Sequence, residues 1–394
     1  MATLPTTTDV VIVGAGPTGL ALACVLAEKG VSFALIDRLA DGANTSRALV
    51  VHARTLEVLE ELGVTNRMRA EELVVPRFTI RDRDRVLTRI HFDDLPTRYP
   101  YTLMVPQNIT EAILLNQLRE LGGDVHRPYT VTGLRQDSDG VTVTVVADGQ
   151  PSRAIRARYA VGADGMHSIV RECAGIGFAG DAYEQSFVLA DVRLSWSLAA
   201  DEVMLFFSPE GLVVVAPMPG GLHRIVATVD VAPEEPSLGD VQRLLDERGP
   251  EIEAAKVNEV VWSSRFRVQH RIADRYRAGR ILLAGDAAHV HSPAGGQGMN
   301  IGIQDAVHLG HTLAALVSGR APESELDEYE RARRPIAKEV VVFTDRLTRL
   351  ATIGRALRPL RNIFLKLLAS VPAFSRQLAW RLSGLIYRQK QVSF

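Results

Sequence analysis

Two cysteines in 394 residues, Cys24 and Cys173, exclude a disulfide framework and give no metal or redox spacing. That scarcity fits a reducing compartment, and a cytoplasmic location is the expectation. Charge of one sign is missing too. The formal net charge is −1, so no global field recruits nucleic acid or another highly charged partner. No uncharged apolar stretch reaches the roughly 18 residues that a membrane span requires. The polar start, Met1 to Thr8, lacks the basic-then-apolar pattern of an export signal. Tryptophan is scarce, with isolated residues at 196, 262 and 380. What remains is an ordinary globular composition, 46% hydrophobic and 23% charged, with length for two or three domains.

The most informative stretch is Arg280-Ile281-Leu282-Leu283-Ala284-Gly285-Asp286, followed by Pro293-Ala294-Gly295-Gly296-Gln297-Gly298-Met299-Asn300. An apolar strand ends in Gly285-Asp286, where a carboxylate can accept hydrogen bonds from a polyol. A glycine-rich loop follows, then an amphipathic helical pattern from Met299 to Val317. The free amides and positive dipole end of that helix would face a planar, electron-rich group seated in the loop. This suits the ribitol and ring of a flavin better than a bare phosphate, and it predicts redox chemistry.

The first seventy residues carry the second signal. Asp9 to Val13 reads as a β-branched strand, Gly14-Ala15-Gly16-Pro17-Thr18-Gly19 opens a helix, and Val31 to Ile36 is a second strand ending in Asp37. Small residues at 14, 16 and 19 serve the turn, the approach of a pyrophosphate and helix-to-strand packing. Asp37 falls about 20 residues on, the place of a ribose-binding acid. The fingerprint alone leaves NAD and FAD open. A third element, Tyr159 to Gly162 followed by Ala163-Asp164-Gly165, ends a strand before a short helix with Ser168 near its cap. Apolar runs between Phe187 and Val231, punctuated by Pro-Glu-Gly and Pro-Gly-Gly, read as antiparallel hairpins.

Together these elements resemble the class A flavoprotein monooxygenases, the aromatic hydroxylases of the p-hydroxybenzoate hydroxylase fold. Ser46-Arg47-Ala48 before Arg54-Thr55-Leu56-Glu57, and Pro106-Gln107 before a helix, match the same family. The resemblance implies an α/β chain with an α+β substrate layer. A discontinuous Rossmann-like FAD-binding domain (1–75, 100–178, 275–335) would be joined by an antiparallel substrate domain (76–99, 179–274) and a C-terminal helical segment (336–394). It implies non-covalent FAD, with Gly14, Gly16 and Gly19 under the pyrophosphate, Asp37 on the ribose and Arg38 beside the adenine. Arg47 and Gln107 would reach the phosphates and ribitol, and Asp286 a ribitol hydroxyl. Gly298, Met299 and Asn300 would offer backbone or amide contacts to the flavin's pyrimidine edge. Asp164 belongs to a motif linked to both FAD and NAD(P)H.

The implied reaction consumes NADPH or NADH and O₂, and hydroxylates a phenolic or polyketide-like aromatic through a flavin C4a-hydroperoxide. Phe206, Val215 and Pro217 are candidates for the substrate pocket, with core packing as the competing reading. No catalytic side chain and no metal site is nominated; His289 and His291 read as packed or hydrogen-bonded. A flavin halogenase is disfavoured because its Trp-x-Trp-x-Ile-Pro signature is absent. A flavin oxidase or reductase, and a non-catalytic FAD-binding partner protein, share every contact named and stay open.

Two departures stand out. His308 and His311-Thr312 occupy positions where relatives usually carry Asn, Trp and Lys. From Arg346 to Lys390 there are ten basic residues and no acidic one, over two helical apolar patterns, and the chain stops where many relatives add a thioredoxin-like domain. The expectation is that these helices pack their apolar faces inward and leave arginines in solvent; peripheral contact with an anionic membrane is the alternative.

Overall fold

The structure is a computed structural model and describes residues 4–42, 48–70, 73–208, 210–252, 254–351, 353–369 and 371–390. Strand Thr7–Val13 lies at the centre of an eight-stranded sheet, parallel to Arg153–Gly162 on one side and to Phe33–Ile36 on the other. Ile281–Leu283 and Val125–His126 extend the parallel set outward. Val10 to Val13 and Ala160-Val161 are buried on both faces, hence unbroken apolar runs rather than alternation. Val13 is in register with both Ile36 and Gly162, and Gly162 with Leu283. The turns after all four strands therefore open on one edge. That carboxyl edge is where ligands of open parallel sheets bind.

The glycines fit that turn for steric reasons. Gly14 has φ +98°, and a Cβ there would lie 2.4 Å from the Ala163 carbonyl oxygen. A Cβ on Gly19 would lie 1.9 Å from the Gly14 carbonyl oxygen, so helix Pro17–Glu28 packs directly on the turn.

Helix Gly298–Val317 is not amphipathic in its surroundings, contrary to the reading of its pattern. It is buried from Asn300 to Gly310 without interruption. Cβ atoms at Gly302 and Gly310 would meet Thr18 and Val25 at 2.6 and 2.7 Å, so these glycines let the helix lie against Pro17–Glu28.

A second eight-stranded sheet runs in the order His289–Val290, Lys256–Ala273, Phe178–Ser195, Leu222–Val229, Gly211–Met218, Glu202–Ser208, Arg77–Asp82, Arg85–His91. Its pairs are antiparallel except Glu202–Ser208 with Arg77–Asp82. That pair is parallel because the 77–91 hairpin enters from an earlier part of the chain and adds to the edge. Strand His289–Val290 follows the Gly285–Ala287 turn directly and pairs with the end of Lys256–Ala273, which fastens this sheet to the first. On one face Val188, Ala190, Phe206, Val213, Val215 and Ile225 form a separate core with Val241 and Leu245 of helix Leu238–Arg248. A capping box between Ser237 and Asp240 sets the start of that helix.

The C-terminal helices reverse the expected orientation at Arg358–Ala369. Arg361 is buried and donates to the carbonyls of Phe207 (2.8 Å) and Ser208 (3.3 Å), while Leu360, Ile363, Phe364 and Leu367 face solvent. The carbonyls ending strand Glu202–Ser208 need donors, and the guanidinium fork supplies them better than a leucine face can.

Candidate active site

The parallel register gathers Gly14, Gly16, Gly19, Asp37, Asp164 and Asp286 along the carboxyl edge of the first sheet. A Cβ on Gly16 would meet nothing within 4 Å, so the space over this turn is open. Asp37 also locks the turn: its carboxylate accepts from the Ala15 amide at 2.7 Å and the Leu39 amide at 2.8 Å. Two carboxylate oxygens carry about four acceptor sites, so capacity for a ribose hydroxyl remains. Asp164 accepts from the Val170 amide at 3.3 Å, and its Oδ1 is buried with no partner among the described residues. Burial holds the Asp164 carboxyl above its ordinary pKa, against hydrogen bonds that favour the anion. Ser168 caps Ile169–Cys173 through the Arg171 amide, as its position in the sequence indicated.

Asp286 is exposed in the Gly285–Ala287 turn, at the tip of Ile281–Leu283. Arg38 is exposed, and Arg47 lies outside the described residues. Gln107 begins helix Gln107–Glu120 and brackets Ala48: its backbone amide donates to the Ala48 carbonyl at 3.0 Å and its Oε1 accepts the Ala48 amide at 3.3 Å.

Gly298, Met299 and Asn300 form the first turn of Gly298–Val317, where backbone amides have no acceptor within the helix and the dipole is positive. The Asn300 side chain has another task than the one expected of it. Its Oδ1 accepts the His52 amide at 2.8 Å, and its Nδ2 donates to the carbonyls of Val50 (2.8 Å) and Gly296 (2.7 Å). Only its backbone amide is left for a ligand. His52 Nε2 lies 2.7 Å from the Gly295 carbonyl, holding the same loop from its other end.

Beneath the loop lies a group the sequence reading missed. Asp305 is fully buried, with one oxygen 2.6 Å from His289 Nε2 and the other accepting from Arg333 Nε at 2.6 Å. An acid inside an otherwise apolar helix was the available signal. The partners lie 16 and 28 residues away, and nothing local points to them. His289 is hydrogen-bonded to Asp305, and among the described residues no group of three His, Cys, Asp or Glu side chains could hold a metal ion.

The candidate pocket residues need correction. Phe206 and Val215 are fully buried in the core under Leu238–Arg248, and Pro217 alternates onto the same face as Val215. The opposite face carries Asp191 and Arg224, which are cross-strand neighbours joined by bonds of 2.7 and 2.8 Å. Arg224 also reaches the Ala48 carbonyl at 3.3 Å, so this face meets the segment bracketed by Gln107. Leu189 and Ala216 share it by alternation.

His308 and His311 line a cavity of about 470 Å³ with Lys29, Arg54, Glu61 and Gln304, against helix Ala53–Glu61. None of the residues assigned to the cofactor lines it. His308 and His311 therefore bear on packing against helix Ala53–Glu61 rather than on the residues assigned to the cofactor.

FAD fits this edge: an open glycine turn for a pyrophosphate, an exposed carboxylate at a strand tip, a buried acceptor at Asp164 and free first-turn amides. The sequence profile of the family described as an FAD binding domain matches residues 7–344. A 12-dehydrotetracycline 5-monooxygenase/anhydrotetracycline 6-monooxygenase of Streptomyces rimosus subsp. rimosus is 39% identical over 96% of this chain and 77% of that protein. Pentachlorophenol 4-monooxygenase of Sphingobium chlorophenolicum is 32% identical over 98% of this chain and 72% of its own length. The crystal structure of p-nitrophenol 4-monooxygenase PnpA from Pseudomonas putida superposes with a TM-score of 0.85 at 26% identity, covering 97% of this chain and 99% of that one. The chain belongs to the FAD-binding-domain family of class A flavoprotein monooxygenases. It is an FAD-dependent monooxygenase.

Two outcomes are expected. Asp286→Ala should weaken FAD binding about tenfold to a hundredfold, the worth of a charged hydrogen bond, with the far-ultraviolet circular dichroism unchanged; a fluorescence titration showing undiminished affinity removes the assigned role. The second concerns pH. Burial lowers the pKa of His52, His291 and His308 to about 4. Unfolded histidine titrates near 6.5, so the unfolded chain binds more protons between those values. The contribution to stability is complete above pH 6.5 and is lost as pH falls toward 4. Thermal melts should drop across that window, and His308→Asn should flatten the drop; an equal slope would deny His308 a share.

Proposed function

We propose that this enzyme hydroxylates a phenolic or polyketide-like aromatic ring, with NADPH or NADH as reductant and O₂ as oxidant. The observation that carries this is the sheet face that Arg224 ties to the Ala48 segment. It is apolar at Leu189 and Ala216, and its one buried ion pair, Asp191–Arg224, is tied to the Ala48 segment. Such a wall accepts a flat apolar ring system and excludes bulk water. Relatives named for anhydrotetracycline, 6-methylpretetramide and pentachlorophenol support the same substrate class.

Bound FAD supplies the two-electron and oxygen chemistry, as cofactors do in such enzymes. The chain contributes position and field. First-turn amides at Gly298 to Asn300 and the helix dipole stabilise negative charge at the pyrimidine edge of the ring. His52 and His291 are held neutral near pH 7 by burial, so stabilising that negative charge falls to the amides and the dipole. Gly14, Gly16 and Gly19 admit the pyrophosphate, with Asp37 on the adenosine ribose to one side of it and Asp286 on a ribitol hydroxyl to the other. Peripheral residues Arg38 and Gln107 complete the adenine and ribitol contacts in this reading.

The test is isotopic. With a substrate that accelerates NAD(P)H oxidation, one atom of ¹⁸O from ¹⁸O₂ should enter the product. Stoichiometric hydrogen peroxide with no label in product, for every aromatic tried, would replace this reading with an oxidase or reductase.

A further inference from the structure

We propose that helix Arg358–Ala369 is a docking surface for an anionic lipid bilayer. Leu360, Ile363, Phe364 and Leu367 recur at the three- and four-residue spacing of one helix face and are 55–63% exposed. Leu357 and Val371 extend the stripe at both ends. Other exposed large hydrophobics among the described residues are scattered along the chain, as single surface residues commonly are. A contiguous exposed stripe of this kind marks an interaction site.

The outward orientation is fixed from behind. Arg361 and Asn362 are buried on the opposite side of the helix. Arg361 holds the Phe207 and Ser208 carbonyls, and Asn362 Nδ2 donates to Asp82 at 2.7 Å and to the Phe207 carbonyl at 3.2 Å. The Arg361 guanidinium also lies 5.1 Å from the Phe207 ring centroid. Turning the leucines inward would break all of these bonds and bury no better partner for the carbonyls.

Charge selects the occupant. Of the ten basic residues from Arg346 to Lys390, Arg361 is buried, Arg349 pairs with Asp345 and Arg388 with Glu57, and the segment itself holds no acid. Lys366 is exposed on the same helix, and Arg346 and Arg376 are exposed on the helices before and after it. A second copy of the chain packed across a twofold axis would set cations against cations, with no acid in the segment to pair them. A bilayer bearing anionic headgroups offers hydrocarbon to the stripe and negative charge to its flanks. The basic composition and the exposed apolar face thus point to one surface.

The experiment is co-sedimentation of the full-length, FAD-loaded protein with vesicles. One set is phosphatidylcholine alone; the other contains about one-third phosphatidylglycerol. The protein should pellet with the mixed vesicles and stay largely soluble with the neutral ones, and added salt should weaken binding. Leu360→Glu with Phe364→Glu should reduce binding at least about tenfold while leaving the thermal melt and NAD(P)H oxidation unchanged. Lys366→Glu with Arg376→Glu keeps the stripe intact and should selectively weaken binding to the mixed vesicles. Equal, weak binding to both vesicle types overturns the proposal. So does a concentration-dependent dimer in sedimentation velocity that the stripe substitutions disperse, because the face then belongs to a second copy.

Discussion

The buried carboxylate of Asp305 is the constraint around which the cofactor end of the molecule is arranged. Burial opposes its ionisation, yet the Arg333 and His289 charges outweigh that and hold it below the usual carboxylate range. Stripping one partner from a buried ion pair costs about 3–5 kcal/mol, so the three segments that carry these groups must converge. They are the strand after the Gly285–Ala287 turn, helix Gly298–Val317 and helix Glu325–Ala351. The turn that presents Asp286 is fixed as a by-product, with the Gly285 amide 3.4 Å from the same carboxylate. Tyr276 and Tyr329 wall the cluster, their phenols pushed well above the ordinary range first by burial and then by the Asp305 charge. Tyr329 keeps its hydroxyl satisfied on the Leu283 carbonyl at 2.8 Å.

A second convergence joins cofactor and substrate sides through residues 48–52. Gln107 brackets Ala48 from the flavin domain, Arg224 reaches it from the second sheet, and Asn300 binds both Val50 and His52 from the flavin-loop helix. No bond in this set is strong alone, since a typical net hydrogen bond is worth about 1 kcal/mol. Their effect is geometric. A displacement of the short strand Val50–Val51 disturbs the glycine loop, helix Gln107–Glu120 and the Asp191–Arg224 pair together. The second sheet and the helix after the glycine loop are thereby mechanically linked.

Much of this was legible in the sequence where the signal is local. Parallel strands between covering layers must be apolar on both faces, so Val10 to Val13 and Ile281 to Leu283 declared themselves. Gly14 and Gly19 were legible because only the smallest residue tolerates contacts of 2.4 and 1.9 Å. Strand faces were not. Phe206 and Val215 are as apolar as Leu205 and Val214, and only the register with Leu222–Val229 and the helix above decides which pair is turned away from the cofactor. Long-range charge pairs were equally hidden: Asp191 and Arg224 are separated by 33 residues, Asp305 and Arg333 by 28. At Arg358–Ala369 the periodicity revealed an amphipathic helix but not which side faces out, because the carbonyls that capture Arg361 belong to a strand 154 residues earlier.

The most direct test of the central claim is the FAD dissociation constant of Asp305→Asn, an isosteric change that touches no proposed cofactor contact. If the buried charge cluster holds the flavin loop and the Asp286 turn in place, the variant should bind FAD at least about tenfold more weakly and melt at a lower temperature, since Arg333 is left buried without its counter-charge. A variant that binds FAD as tightly as the parent protein, at any melting temperature, would contradict the account.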